Sequence, residues 1–280
     1  MPHDPESEIL APRTATDVAE AYAPGEPADT PVRSEWDPRS APGTYSLLAV
    51  NVAVYLWMLL SGVSWLSPTS EQLMHFGANQ SVYVLNGEWY RLLTATFVHI
   101  GIIHIGTNMW CLWNLGLLGE PLLGPLGLIA VYVLTGVAGN LLSVFWDVWT
   151  AQRYDMPLQA VAGVGAGASG AVFGIAGILI ILLSNKRLPI PWSELKRLRT
   201  SVVRFAVINI VIGGATMFGG SIRIDNSAHI GGFAAGLALG PGLLAKMTAG
   251  RKRYLGRQRL VFFGAAFLLA AIGYGIANMR

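Results

Sequence analysis

Charge is scarce in this 280-residue chain: Asp, Glu, Lys and Arg make up 12% of it, about half the share of a soluble globular domain. That alone excludes an ordinary cytosolic enzyme. Cysteine is nearly absent, Cys111 being the single one, so neither a disulfide framework nor a cysteine-based zinc site can be built. Also missing at the start is a positively charged and then apolar leader, the mark of a cleaved signal peptide. The first 44 residues carry nine acids and three arginines and are rich in Pro and Ala. They read as a disordered acidic tail rather than an arginine-rich, acid-poor presequence. The remaining residues carry sixteen bases and seven acids, so the two parts face different surroundings.

Apolar residues, in contrast, make up 53% of the chain. Seven apolar stretches, near 45–66, 98–118, 125–148, 161–184, 202–220, 226–246 and 258–279, have roughly the ~20-residue length that spans a bilayer. Stretches such as Leu260 to Ile272 have no polar face at helical spacing, which a soluble core helix would need. The expected fold is therefore an all-α polytopic membrane bundle. Lysine and arginine concentrate between stretches four and five (Lys186, Arg187, Lys196, Arg197, Arg199, Arg204) and between six and seven (Lys246, Arg251, Lys252, Arg253, Arg257, Arg259). By the positive-inside rule both loops are cytoplasmic, which puts the N-terminus inside and, after seven crossings, the C-terminus outside. Residues 67–97, with Phe76, Tyr83, Trp89 and Tyr90, read as a loop lying in the outer interface.

A polar side chain within hydrocarbon is costly and is a functional candidate by default. Five stand out, His99, His104, Asn108, Ser169 and His229, and the topology puts all of them at one depth near the outer surface. Ser169 lies in Gly163-Val164-Gly165-Ala166-Gly167-Ala168-Ser169-Gly170, which does not match the G-x-S-x-G elbow because Ala171 takes the last glycine position. His229 precedes Gly232, Gly236 and Gly240, a small-residue face that lets a second helix approach closely, and the serine stretch offers Gly170, Gly174 and Gly177 in return. Close approach would bring the imidazole within hydrogen-bond reach of the hydroxyl and activate it. His104 and Asn108, four apart, share a helix face, and His99 would be turned away from it by roughly 140°. The shared face could supply oxyanion donors together with the Ser169 backbone N–H, or it could merely bond neighbouring helices. A zinc site of the H-E-x-x-H type is excluded, since His104-Ile105-Gly106-Thr107-Asn108 lacks both the glutamate and the second histidine. An aspartyl dyad is set aside because no span interior contains aspartate. Asp225, one turn before His229, fits a helix cap better than a third catalytic member.

These residues resemble the rhomboid family of intramembrane serine proteases. The resemblance rests on Gly87-Glu88-Trp89-Tyr90-Arg91-Leu92-Leu93-Thr94, His99 through His104 to Asn108, Gly167-Ala168-Ser169-Gly170, and Ala228-His229 with Gly232 and Gly236. It implies a six-helix core (45–247), to which residues 248–280 add a basic linker and a seventh helix. It implies Ser169 as nucleophile, His229 as general base and then acid, His104, Asn108 and Gly167 on the oxyanion side, Phe173 packed on the imidazole, and His99 in support. Arg91 and Glu120 would make structural hydrogen bonds holding the first loop and the inner end of the second span. The family's Trp-Arg pair appears here as Tyr90-Arg91, with Trp89 one place earlier. Expected partners are single-span membrane-protein substrates and the lipid bilayer, with no nucleic acid, metal or organic cofactor. Phe218-Gly219-Gly220-Ser221 is a candidate lid. Two rivals remain at this point, a non-catalytic relative that binds membrane clients and a small transporter.

Overall fold

The computed structural model describes residues 40–215, 225–244, 248 and 250–279. Among them are eleven helices and no strand. The acidic tail up to residue 39 and the candidate lid Phe218–Ser221 lie outside the described residues. The helices are α1 (Pro42–Leu60), α2 (Ser70–His75), α3 (Ser81–Leu85), α4 (Arg91–Thr94), α5 (Ile102–Leu123), α6 (Pro125–Arg153), α7 (Leu158–Val161), α8 (Ser169–Leu182), α9 (Trp192–Ala215), α10 (Asn226–Leu244) and α11 (Arg251–Ala277). Four of them, α1, α6, α10 and α11, are long and apolar enough to cross a membrane.

Local chemistry sets many of the ends. Pro42 and Pro125 occupy the first turns of α1 and α6, where a missing N–H costs nothing. Thr69 and Gln72 form a reciprocal capping box on α2, satisfying two otherwise orphaned donors. The Asp225 side chain accepts from Ala228 N (3.0 Å) at the head of α10, the cap expected from sequence.

Several helix bounds depart from the expected stretches. The stretch at 161–184 is helical only from Ser169, because residues 162–168 are held extended: Asn79 and Gly165 exchange both backbone bonds at 2.8 Å. The stretch at 98–118 becomes helical at Ile102, after Gly101 turns the chain at φ +84°, so His99 precedes α5 and is not set roughly 140° round that helix from His104. At 202–220 the helix begins ten residues earlier, at Trp192, because a polar segment headed by Glu194 and paired with Arg197 (2.6 Å) continues the same spiral outward. α6 runs on past the expected end at 148 to Arg153, and Asp147 lies inside both the expected stretch and the helix.

α8 packs along α10 in parallel, and α5 runs the same way. A Cβ on Gly232 would lie 2.0 Å from Gly170 O, one on Gly236 2.0 Å from Gly174 O, and one on Gly240 2.5 Å from Ile181. Such contact is possible only without side chains, and in a bilayer van der Waals packing is the main attraction between helices. α6 runs antiparallel to this pair, with Thr135 filling the space beside Gly174 and Ala228 O beside Gly139. α1 follows α6, tied by Asn51 Nδ2 to Tyr132 Oη at 3.0 Å. Glu120, near the end of α5, accepts from Gly43 N, Thr44 N and Thr44 Oγ1, each at 2.7 Å. One carboxylate thus fastens two helices at the same end of the bundle.

Between α1 and α5 the short helices α2 to α4 form a compact loop around Arg91. This guanidinium donates to Met74 O (2.7 Å), Ala78 O (3.1 Å) and Glu88 (2.7 Å through Nε). Tyr90 also donates to Glu88, at 2.7 Å. That bond first, and then the one from Arg91, hold the Glu88 carboxyl below its usual pKa. The Tyr90-Arg91 pair thus closes on a shared acid, while Trp89 points away, to Gly273 of α11.

Candidate active site

Ser169 is the first residue of α8 and His229 lies in the first turn of α10. The glycine contact between those helices brings the two side chains together, with His229 Nε2 2.8 Å from Ser169 Oγ. For the hydroxyl to donate in that bond, the ring proton must sit on Nδ1, and Nδ1 is buried with no hydrogen-bond partner among the described residues. Orientation comes instead from stacking: the Phe173 ring lies 4.5 Å from the imidazole, centroid to centroid, at 23°. Asp225 is occupied elsewhere, by Ala228 N and by Ser143 Oγ at 2.6 Å.

The backbone in front of Ser169 is held from the α5 side. Gly167 has φ +132°, a region L side chains rarely adopt, and a Cβ there would lie 2.6 Å from the His104 ring. Gly167 N donates to Ala95 O (2.9 Å), and Ala168 N donates to His99 Nε2 (3.3 Å). His99 Nδ1 in turn is 3.1 Å from Phe97 O, so the ring carries its proton there and accepts on the other side. His104 has the opposite arrangement: its Nδ1 accepts from Ile100 N at 3.2 Å, which leaves the proton on Nε2, facing Gly167. Asn108 Nδ2 spends one donor on His104 O, at 2.9 Å. The Ser169 N–H, at the head of a helix, has no intrahelical acceptor.

Ser169, His229, His104, Gly167, Phe173 and His99 thus form one cluster, and Asn108 stands a turn below His104. α8 has only 14 residues and rises ~21 Å, short of the ~30 Å hydrocarbon layer. Ser169 is partly exposed, while His229 is 7% exposed. The available chemistry is a hydroxyl with an adjacent base, facing an N–H and an Nε2–H that can receive negative charge.

Several supporting residues escaped the sequence reading. Asn79 Nδ2 donates to Asn140 O (3.2 Å) and Asn140 Nδ2 to Leu92 O (2.9 Å), linking the strand-like partner of Gly165 to the Arg91 loop through α6. Their signal was available: Asn140 and Ser143 are polar residues inside an expected span, the very criterion applied to the other five. Asp147 corrects the statement that no span holds an aspartate. It accepts from Ser81 Oγ at 2.5 Å, and so anchors the start of α3. Among the described residues, no group of three or more His, Cys, Asp or Glu is placed to hold a metal ion.

Comparison with known proteins agrees with this architecture. The family model for the Rhomboid domain matches residues 86–246, more than half of the chain. Rhomboid protease GluP of Bacillus subtilis is 32% identical over 230 residues, covering 80% of this chain and 39% of that protein. Rhomboid protease AarA of Providencia stuartii is 29% identical over 199 residues, 69% of either chain. RHOMBOID-like protein 5 of Arabidopsis thaliana is 32% identical over 189 residues, 66% of this chain and 54% of that one. The match thus spans about two fifths of the Bacillus protein and about half of the Arabidopsis one. The extent of the domain match, together with a helical bundle four of whose described helices are long and apolar enough to span a membrane, identifies this multi-pass membrane protein as a member of the rhomboid family.

Proposed function

We propose that this chain is an intramembrane serine endopeptidase that cleaves single-span membrane proteins near the outer membrane face. The observation that carries this reading is the 2.8 Å contact between Ser169 Oγ and His229 Nε2, made by two helices whose glycines serve that approach. Ser169 Oγ attacks the scissile carbonyl carbon while its proton passes to Nε2 of His229. The oxyanion that forms is received by the Ser169 N–H and the Nε2–H of His104, with the remaining Asn108 N–H nearby. Collapse of the intermediate breaks the C–N bond as His229 returns the proton to the leaving amine. Water, activated by the same imidazole, then releases the acyl group and regenerates the hydroxyl. The chemistry draws on protein groups alone.

A depth of ~9 Å for Ser169 follows if the far end of α8 reaches the opposite surface. The basic starts of α9 and α11 favour that opposite side as the cytoplasmic one, with the N-terminus inside and the C-terminus outside. Substrates would be transmembrane segments whose helices are weakened near the outer end, since a regular helix hides its peptide bonds.

The test is reconstitution of the purified chain in lipid with a single-span substrate, beside Ser169→Ala and His229→Ala. Each variant should lose at least about 10⁴-fold in kcat, because the two groups act as a unit. Cleavage by both variants at the wild-type rate would exclude this mechanism.

A further inference from the structure

We propose that residues 1–39 of this chain dock, through their acidic side chains, on the basic end of its own helix bundle. The placement of that end follows from packing. α8 and α10 run in parallel, so the segments that leave them emerge at one end, and there α9 and α11 begin. α1 begins at the same end: a Cβ on Gly43 would lie 2.8 Å from Pro125, the first residue of α6, and one on Gly127 would lie 2.9 Å from Gln258 of α11. Gln258 also donates to Leu123 O at 2.7 Å. The tail therefore leaves the bundle beside the first turn of α6, which itself packs on Gln258 of α11.

The charges at that end are unbalanced. Residues 183–201 and 250–259 hold ten bases and one acid, Glu194, and that acid is taken by Arg197 at 2.6 Å. Lys186, Arg187, Lys196, Arg251, Lys252 and Arg253 are all exposed. The tail carries nine acids and three arginines. Its 39 residues could reach up to ~130 Å, so length does not limit contact, and tethering keeps the acids at high effective concentration beside this face. Lipid headgroups are the competing occupant, yet an anionic surface repels the tail, and the counter-charged surface nearest its root is this one. Single exposed ion pairs are weak, so docking rests on many of them and is sensitive to salt. None of this depends on catalysis.

The experiment uses the full chain in phosphatidylcholine nanodiscs, with a carbodiimide that joins carboxylates to lysines only where they touch. An equal mixture of ¹⁴N and ¹⁵N protein distinguishes links within a chain from links between copies. Amides from acids of residues 4–37 to Lys186, Lys196 or Lys252 are expected at about 50 mM salt, falling about tenfold or more at about 500 mM. The double variant R251Q/R253Q, which keeps every lysine, should lower the yield at Lys252 severalfold. The proposal is overturned by absence of these links at low salt, by yields indifferent to salt or to the double variant, or by links of mixed isotope. Repeating the low-salt arm with phosphatidylglycerol as about a third of the lipid decides between occupants. Retained links support the tail, and their disappearance assigns the face to the bilayer and overturns the proposal.

Discussion

His104 shows how one backbone contact fixes the use of a side chain. Because Ile100 N donates to Nδ1, the only proton this ring can offer is on Nε2, towards Gly167 and the head of α8. His99, five residues earlier and with its ring 5.4 Å away, is locked in the reverse tautomer and spends its acceptor on Ala168 N. Two histidines that look equivalent in the sequence therefore differ, one with its N–H directed at the head of α8 and one accepting from the backbone there. His104→Ala should lower kcat about 10²–10³-fold with little change in KM. Steady-state kinetics on a reconstituted single-span substrate would check this, and an unchanged kcat would remove His104 from the oxyanion side. Asp225 was legible as a cap because Asp before an apolar helix is a local signal. The tautomers were not legible, since they depend on the carbonyl and amide that the folded loop presents.

Among the helices, the α8–α10 seam leaves no room for a side chain. Gly232→Leu would drive a side chain into Gly170 O, one residue from Ser169, where even a Cβ has only 2.0 Å. The helices would have to separate, at a cost above about 4 kcal/mol. Thermal unfolding in detergent should show a large fall in Tm or no folded protein, and a near-native Tm would contradict the packing described. α11 contributes in a different way. Gln258 binds it to the turn between α5 and α6, and at its other end Ile276, 4% exposed, completes a cluster with Val84, Leu85, Leu92, Leu141, Val144 and Val148. The last helix thus supports the loop that carries Arg91. Ile276→Ala should cost about 2–4 kcal/mol, read in the same unfolding assay, whereas Leu260→Ala, exposed at 64%, should leave Tm nearly unchanged. The seam was foreseeable from glycines four apart on two helices. The α11 cluster was not, because its residues come from four separate helices and each reads as an ordinary apolar position.

For the molecule as a whole, the alternation of helix directions puts the basic starts of α9 and α11 at one end and the Ser169–His229 pair towards the other. Arg280→Cys in a Cys111→Ser background should react with a membrane-impermeant maleimide added to intact cells. Failure to react without permeabilisation would put residue 280 on the cytoplasmic side and overturn the proposed orientation of that terminus. The sequence by itself determined that this is a helical membrane protein and which five polar residues to watch, because the cost of polar groups in hydrocarbon is a property of composition and spacing. It also fixed the helix seam, since only glycine permits backbone contact. The tertiary structure alone decided where α8 begins, that His99 stands outside α5, and that Asn79, Asn140 and Asp147 tie the first loop to α6. The start of α8 and the ties to α6 rest on hydrogen bonds between segments some sixty residues or more apart, and no local pattern records which distant carbonyl or amide will be the partner.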